Sequence, residues 1–234
     1  MRLAWAVIAL FSAQSAMAED IKSARYEGPT TRYAHGVLGD AIEHGELVLT
    51  LASGKTRRLV LPETRVFEDT EPRLFDVDGD GDREVITVES DQRLGARLSI
   101  YDAEGLVAAN DFIGRSNRWL APTGVGAVDL DGDGQVELAY VDRPHLAKTL
   151  RIFRYRDGKL VPLAALKGVT NHRIGERDIA GGIRDCGTGP EIIVADAAWR
   201  RVLAITFDGK ALGTRDIGPH RGRASFAKAL ACND

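Results

Sequence analysis

The sequence has no large excess of either charge, and it has no long apolar run apart from the one near its N-terminus. Its 31 Lys and Arg residues nearly balance 34 Asp and Glu residues, giving a net charge of −3. It therefore lacks the basic surface of a general nucleic-acid-binding protein. The apolar run 3–11 is too short to span a bilayer, and no other segment is apolar enough to be a membrane anchor. No Gly-x-Ser-x-Gly, His-Glu-x-x-His, phosphate-loop or dinucleotide motif is present, so no short motif identifies an enzyme.

The N-terminus is typical of a secretory signal peptide. A positive Met1-Arg2 pair precedes the apolar run 3–11 and a set of small residues ending at Ala18, which predicts cleavage after Ala18. The alternative is a buried first helix. We expect residues 19–234 to form one domain in the periplasm or outside the cell, where disulfides persist.

Two acidic loops, 76–84 and 129–137, are near copies of each other. Carboxylates at loop positions 1, 3, 5 and 9, with glycine at position 6, predict an all-oxygen calcium site that the carbonyl of position 7 completes. Position 12 holds Thr87 or Tyr140 instead of Glu, which excludes an EF-hand. The alternative is a pair of acidic turns that bind no metal. The predicted ligands of the two calcium ions are Asp76, Asp78, Asp80, Asp82 and Glu84, and Asp129, Asp131, Asp133, Gln135 and Glu137.

A repeat of about fifty residues organises the chain. Gly54, Gly105, Gly158 and Gly209 each lie in a turn between two strand-like runs, a pattern that predicts hairpins. Another strand precedes each hairpin, and in the first unit this strand is 32–37. In the later units, a further strand of small residues comes before the strand that precedes the hairpin. Each complete unit is thus predicted to hold four antiparallel strands, with the acidic loop between the first two.

The first unit lacks its first strand, and residues 223–234 have no hairpin after them. We predict that 223–234 supplies the missing strand and closes a small all-β propeller of about four four-stranded blades. The alternative is a C-terminal helix, because Ala, Lys and Leu favour helices. The predicted blades are 223–234 with 26–66, then 67–116, 117–170 and 171–222.

The only two cysteines occupy equivalent repeat positions. Cys186 lies where Asp78 and Asp131 lie in the acidic loops, within a third loop that has lost most of its acidic residues. Cys232 falls at the same place in the predicted terminal strand 223–234. This equivalence predicts a Cys186–Cys232 disulfide. The alternative is two free buried thiols.

The repeated Asp-x-Asp-Gly-Asp-Gly-x-x-Glu loops, each followed by an apolar strand, resemble the FG-GAP / VCBS-type repeats of integrin-alpha-like β-propellers. The resemblance implies the propeller fold and calcium ligation by both acidic loops. Members of this family serve in adhesion or scaffolding, or as appendages of enzymes, so the resemblance leaves the function open.

Charged and aromatic residues concentrate in the loops at the strand ends away from the acidic loops. Arg, His and Trp there suit an anionic or carbohydrate-like ligand, through bidentate and stacking contacts. The alternative is that these residues only solvate the surface. The candidate ligand-binding residues are Arg118, Trp119, Asp142, Arg143, His145, His172, Arg173, Trp199, His220 and Arg221.

The sequence favours an exported calcium-binding module without catalytic activity, for binding, adhesion or assembly. Its partner would be a protein or glycan in the envelope or outside the cell. The alternative is a small periplasmic hydrolase or lyase that uses His, Asp and Arg of the loop face. Convergence of the loop histidines and Asp142 in one concave pocket would favour the enzyme.

Overall fold

The computed structural model describes residues 19–233, which form seventeen strands and one helix. The predicted signal peptide, 1–18, lies outside these residues. The strands of the first half are β1 (Ile21–Thr30), β2 (Glu43–Leu51), β3 (Thr56–Val60), β4 (Arg65–Phe67), β5 (Arg73–Phe75), β6 (Glu84–Asp91), β7 (Gly95–Tyr101) and β8 (Leu106–Ala109). The remaining elements are β9 (Leu120–Val128), β10 (Glu137–Asp142), β11 (Thr149–Arg156), β12 (Lys159–Lys167), β13 (Val169–Thr170), β14 (Gly182–Asp185), β15 (Pro190–Asp196), β16 (Arg201–Phe207), β17 (Leu212–Pro219) and α1 (Arg223–Leu230).

The strands form three antiparallel sheets. Sheet A has the order β1-β2-β4-β6-β7-β8, with β3 also paired to β2 and β5 to β6. Sheet B has the order β12-β11-β10-β9, and sheet C has the order β13-β15-β16-β17, with β14 also paired to β15. Every observed pairing is antiparallel, as expected for strands joined by tight hairpin turns.

The three sheets pack face to face, like the layers of a sandwich. In β10, Leu138 and Tyr140 belong to the core shared with sheet A, whereas Ala139 and Val141 belong to the core shared with sheet C. Strand β15 divides its side chains in the same way between sheet B and α1. Burial on both faces explains why these strands read as continuous apolar runs in the sequence.

The predicted hairpins are confirmed. The turns at Gly54, Gly105, Gly158 and Gly209 join β2 to β3, β7 to β8, β11 to β12 and β16 to β17. Each acidic loop leads into the next strand, β6 or β10, and the degenerate third loop leads into β15. Hairpin prediction succeeds because turn chemistry and strand alternation are local properties.

The predicted ring of four blades is wrong. No sheet formed by residues 19–233 is closed, and the first two units share the single sheet A because β4 bridges β2 and β6. The segment expected to close the ring is the helix α1, in line with the helix propensity of its Ala, Lys and Leu residues. Phe226 and Ala229 of α1 are buried against sheet C. The helix therefore covers the outer sheet instead of pairing with the first one.

The strand predicted at 32–37 is also wrong, because that segment belongs to the loop between β1 and β2. Strand β1, which the repeat pattern missed, pairs with β2 from Ile21 to Thr30. The 31–42 loop is thereby free to reach the ends of the other sheets, where Val37 accepts a hydrogen bond from the Gly175 amide.

The predicted disulfide is confirmed. Cys186 and Cys232 are bonded, with Cα atoms 5.7 Å apart, which links the end of α1 to the third loop. Disulfides form and persist in oxidising compartments. Among residues 19–233, no helix is long and apolar enough to cross a membrane.

Candidate functional site

The first acidic loop gathers carboxylate oxygens around one point. One oxygen from each of Asp76, Asp78 and Glu84 lies within 4.8 Å of the other two. Asp76 accepts hydrogen bonds from the amides of Gly79 (2.7 Å) and Gly81 (3.1 Å). Both glycines have positive φ, 78° and 98°, a conformation that residues with a Cβ rarely adopt. The two glycines therefore allow the bend that brings the carboxylates together.

The second acidic loop repeats this geometry. Asp129, Asp131 and Glu137 each bring one oxygen within 4.8 Å of the others, and Asp129 accepts from the amides of Gly132 (2.8 Å) and Gly134 (2.9 Å). Clustered carboxylates suit hard divalent cations such as calcium, so both clusters can hold a metal ion. The side chains of Asp80, Asp82 and Asp133 lie outside the two clusters. Ligation by Gln135 and by the carbonyls of loop position 7 stays a prediction.

The first cluster carries unrelieved negative charge. Burial, followed by the charges of Asp78, Asp80 and Asp76, raises the pKa of Glu84 to about 7, against a hydrogen bond from the Val77 amide. In the part of the chain that the structure describes, no Lys, Arg or His pairs with the Asp76, Asp78 or Glu84 carboxylate. A bound cation would relieve this repulsion.

A cavity of about 290 Å³ lies at the opposite end of the strands. Strand β10, six residues long, starts at Glu137 in the second acidic loop and ends directly before Arg143 and His145 of the cavity. Such a strand spans about 20 Å, so the cavity is separate from the acidic loops. We call it the histidine cavity. Its lining residues are His35, Asn117, Arg118, Trp119, Arg143, His145, Leu146 and Ile174.

A chain of hydrogen bonds fixes the tautomer of His145. The Nε2 atom of His172 lies 2.9 Å from the carbonyl oxygen of Glu176, which can only accept, so His172 donates from Nε2. Neutral His172 then accepts at Nδ1, 3.0 Å from the Nε2 atom of His145. His145 therefore donates from Nε2, which leaves its Nδ1 atom unprotonated.

Both rings of this chain are neutral at pH 7. Burial lowers the pKa of His172. Burial, followed by the charges of His172 and His35, lowers the pKa of His145 to about 4. The Nδ1 atom of His145 is thus a proton acceptor over the whole physiological range.

A buried carboxyl group orients His35, on the same cavity. The Nδ1 atom of His35 lies 2.6 Å from Oε1 of Glu68, whose exposed fraction is 0%. Burial raises the pKa of Glu68, against the hydrogen bond with His35. Ser90 donates to the other carboxyl oxygen, and the indole of Trp119 donates to the Glu68 carbonyl (2.7 Å). A carboxyl group that holds one imidazole nitrogen leaves the other for a ligand, as in catalytic and metal-binding histidines.

Arg118 gives the histidine cavity a positive charge. Its Nη1 atom donates to the carbonyl of Asn117 (2.7 Å), and no acidic side chain within residues 19–233 forms an ion pair with it. Asn117 and Arg143 have φ values of 52° and 44°, a left-handed conformation that costs about 1–2 kcal/mol in a residue with a Cβ. Such strain concentrates at functional sites.

Asp142 does not face the histidine cavity with the histidines. Its carboxylate lies 2.7 Å from Nε of Arg143 and 2.9 Å from Nε of Arg151, beside a second cavity of about 530 Å³. Burial would raise the pKa of Asp142, but the hydrogen bonds from these two arginines outweigh it and lower the pKa. Asp142 therefore anchors Arg143 and is not the acid or base of the cavity.

The remaining predicted ligand residues lie near the C-terminal helix. The Arg173 guanidinium is 4.3 Å from the ring centroid of Trp199. The Trp199 ring is 5.2 Å from that of His220, which is 5.4 Å from Phe226 of α1. Arg221, just before α1, is exposed. Most of this group dock the helix, so the ten predicted residues do not converge on one pocket. Arg118, Trp119, Arg143 and His145 line the histidine cavity, whereas Asp142 lies beside the second cavity. His172 is buried next to His145.

Sequence reasoning missed four residues that line the histidine cavity, His35, Asn117, Leu146 and Ile174, and the supporting residue Glu68. His35 had been assigned to a strand, and Glu68 lies 33 residues further along the chain. No motif links the two positions, because the contact depends on how the 31–42 loop folds back. The positive φ of Asn117 leaves only a weak signal, the Ser-Asn pair of a loop.

The fold and the site define a class: an all-β protein of stacked antiparallel sheets, with acidic loops at one end of the strands and a histidine cavity at the other. No family model and no curated protein matches the chain. Two solved structures are similar to it in part. The rhamnogalacturonan lyase YesW has a TM-score of 0.46 and 17% identity over 76% of this chain and 44% of that chain. The exotype rhamnogalacturonan lyase YesX has a TM-score of 0.47 and 15% identity, over 86% and 47%. The chain thus spans less than half the length of either lyase.

Proposed function

We propose that this chain is an exported calcium-binding protein whose histidine cavity binds an anionic, carbohydrate-like ligand and acts on it as a hydrolase or lyase. One observation carries the proposal: His145 and His35, each held through one ring nitrogen, line the same cavity as Arg118. A concave site with two oriented imidazoles supports acid–base chemistry, whereas a flat face would support only docking.

The residues of the cavity have different roles in this proposal. The Nδ1 atom of His145 is the base, taking a proton either from the ligand or from an attacking water. His35, held by Glu68, is the second proton-transfer group. Arg118 attracts the negative charge of the ligand. Leu146 and Ile174, which expose 63% and 71% of their surface, offer apolar contacts to the ring faces of a sugar.

Turnover of an acidic polysaccharide is the expected result that tests this proposal. Purified protein would be incubated with polygalacturonate, alginate and hyaluronate, with dextran as the matched neutral polymer. Cleavage of at least one acidic polymer is expected, seen as new reducing ends. Ultraviolet absorbance of a new carbon–carbon double bond identifies a lyase, and its absence alongside new reducing ends identifies a hydrolase.

A non-catalytic binding module is the second candidate, and the exposed Leu146 and Ile174 at the cavity mouth favour it. Retention of an acidic polymer on immobilised protein, without any cleavage, would support the module and contradict the enzyme. If the protein neither retains nor cleaves any polymer of the panel, both candidates are contradicted.

Calcium is the proposed cation of the first acidic loop, in line with the resemblance to FG-GAP / VCBS-type repeats. A cation that binds only the folded loop stabilises it by about 2.7 kcal/mol at a hundredfold excess over Kd. Chelation is therefore expected to lower the Tm, and Asp78→Ala is expected to remove that response. Asp111→Ala changes an exposed aspartate outside the loops and is the matched control. Equal melting curves with and without chelator in the unaltered protein would count against calcium.

A further inference from the structure

The two acidic loops differ in what surrounds their equivalent glutamates. Oε2 of Glu84 accepts a hydrogen bond from the Val77 amide (2.9 Å), and Oε2 of Glu137 accepts one from the Leu130 amide (2.8 Å). Oε1 of Glu84 has no hydrogen-bond donor among the described residues. Oε1 of Glu137, by contrast, accepts two hydrogen bonds from Arg154, one of them from Nε at 2.6 Å.

Arg154 also contacts the aspartates of the second loop. Its Nη1 atom lies 2.8 Å from Oδ2 of Asp133, and its Nη2 atom lies 3.3 Å from Oδ2 of Asp131. The residue is 7% exposed. One guanidinium therefore bridges three carboxylates of a loop whose backbone matches the first loop bond for bond.

Strand register explains the difference. Arg154 of β11 lies directly opposite Glu137 of β10. In sheet A the pairing of β6 with β7 ends at Val85 and Tyr101. The position that corresponds to Arg154 is held by Asp102, whose carboxylate accepts hydrogen bonds from the amides of Glu104 and Gly105 in its own turn. The first loop therefore has no guanidinium at this position, and it carries Asp82 where the second carries Gln135.

In the third loop, arginines contact the equivalent glutamate and the loop has lost most of its aspartates. Its equivalent glutamate, Glu191, accepts hydrogen bonds from Arg184 (2.7 Å) and Arg215 (2.8 Å). Cys186 occupies the place of Asp78 and Asp131 and is tied to Cys232. The loops therefore form a series from bare carboxylates, through carboxylates bridged by one arginine, to a loop held by arginines and a disulfide.

We infer that the first acidic loop is the calcium site of this protein and that in the second loop Arg154 takes the place of the cation. This inference rests on the proposed calcium binding and narrows it to one loop. A guanidinium and a calcium ion compete for the same oxygens, and a cation entering the second loop must break the contacts of Arg154. Losing one charged hydrogen bond typically changes an affinity about tenfold, so Arg154 weakens the second loop by at least that factor.

Calorimetric titration of the purified protein with calcium chloride tests the inference. One tight site is expected in the unaltered protein, lost in Asp78→Ala and kept in Asp131→Ala. Arg154→Met is expected to add a second site, at least about tenfold tighter than any second event in the unaltered protein. Arg156→Met is the matched control, because Arg156 contacts only the Gln135 side chain of this loop (3.0 Å), and one site is expected to remain. In the Asp78→Ala, Arg154→Met double variant, the single remaining site would be the second loop.

The possible outcomes distinguish a failure of this inference from a failure of the proposed calcium binding on which it rests. Two sites of equal affinity in the unaltered protein would overturn the inference and leave calcium binding intact. A single site that survives Asp78→Ala and is lost in Asp131→Ala would also overturn the inference. This comparison does not depend on whether an arginine variant folds. No binding in either the unaltered protein or Arg154→Met would overturn both.

Discussion

His145→Ala is expected to lower kcat/KM on the cleaved polymer by about 10²–10⁴-fold, the usual contribution of a positioned acid–base group. The substitution removes from the cavity lining the imidazole whose Nδ1 atom the His172–Glu176 chain leaves unprotonated. His220→Ala is the matched control, because His220 packs on Trp199 and Phe226 outside the histidine cavity. Polymer binding is expected to persist in both variants, since Arg118 is untouched.

The pH profile gives this prediction a second readout. The pKa of His145 is about 4, and a base works only when it is unprotonated. As pH falls through 4, the rate is expected to drop about tenfold per pH unit, and above pH 5 protonation of His145 has little effect. An acidic limb near pH 6.5, the ordinary range of histidine, would show that His145 is not the base. Unchanged turnover in His145→Ala would show the same by a simpler route.

His172→Leu separates positioning from catalysis. It removes the acceptor that holds the Nε2 proton of His145, so either tautomer of His145 becomes accessible. We expect kcat to fall while binding of the polymer stays unchanged. The acidic limb is expected to move upward, because the charge of His172, which lowers the pKa of His145, is lost. A merely structural role for His172 would change Tm without moving the acidic limb.

Local features of the sequence predicted the hairpin strands and the acidic loops, although they missed β1 and misplaced a strand at 32–37. Hairpin turns such as Asp157-Gly158 and the apolar runs after each loop depend on near neighbours, and β10 and β11 lie where these signals place them. The spacing of carboxylates and glycines likewise predicted the three carboxylates that meet in each loop, but it also included Asp80, Asp82 and Asp133, which lie outside the clusters. Arg154 went unnoticed because its role depends on strand register, which sets it opposite Glu137. The sequence alone does not show which residues of paired strands face each other.

The ring closure failed for a different reason. Residues 223–230 align with the first strands of the units only by position and small-residue content, whereas their helix propensity and the burial of Phe226 and Ala229 decide the outcome. The histidine cavity also depends on tertiary contacts, since His35 and Glu68 meet only through the 31–42 loop. The disulfide was nevertheless predicted correctly. A segment in the right place can bring Cys232 to Cys186 as the end of a helix as well as by a strand.

Loss of the Cys186–Cys232 bond is expected to cause the largest change in stability. The bond joins residues separated by 46 positions, and chain-entropy reasoning then gives about 4 kcal/mol as an upper estimate of the lost free energy of unfolding. The double variant Cys186→Ser, Cys232→Ser is preferred, because a single change would leave a reactive thiol. The expected result is a lower denaturant midpoint with a steeper slope, because the unfolded chain without the bond exposes more surface.

The position of the bond explains why the effect should reach the core. It fixes the end of α1 where the Arg184 guanidinium donates to the carbonyl of Ala229 (2.5 Å) and pairs with Glu191. If α1 detaches, Phe226 leaves the apolar core of sheet C, and the buried Arg184–Glu191 pair is opened to water. Amide exchange in α1 and β15 should therefore accelerate in the serine variant, with β6 and β7 of sheet A as the internal reference. Reduction of the unaltered protein is expected to reproduce the same shift. A serine variant with the original midpoint and full protection of α1 would show that packing alone holds the helix, and that the disulfide adds nothing to it.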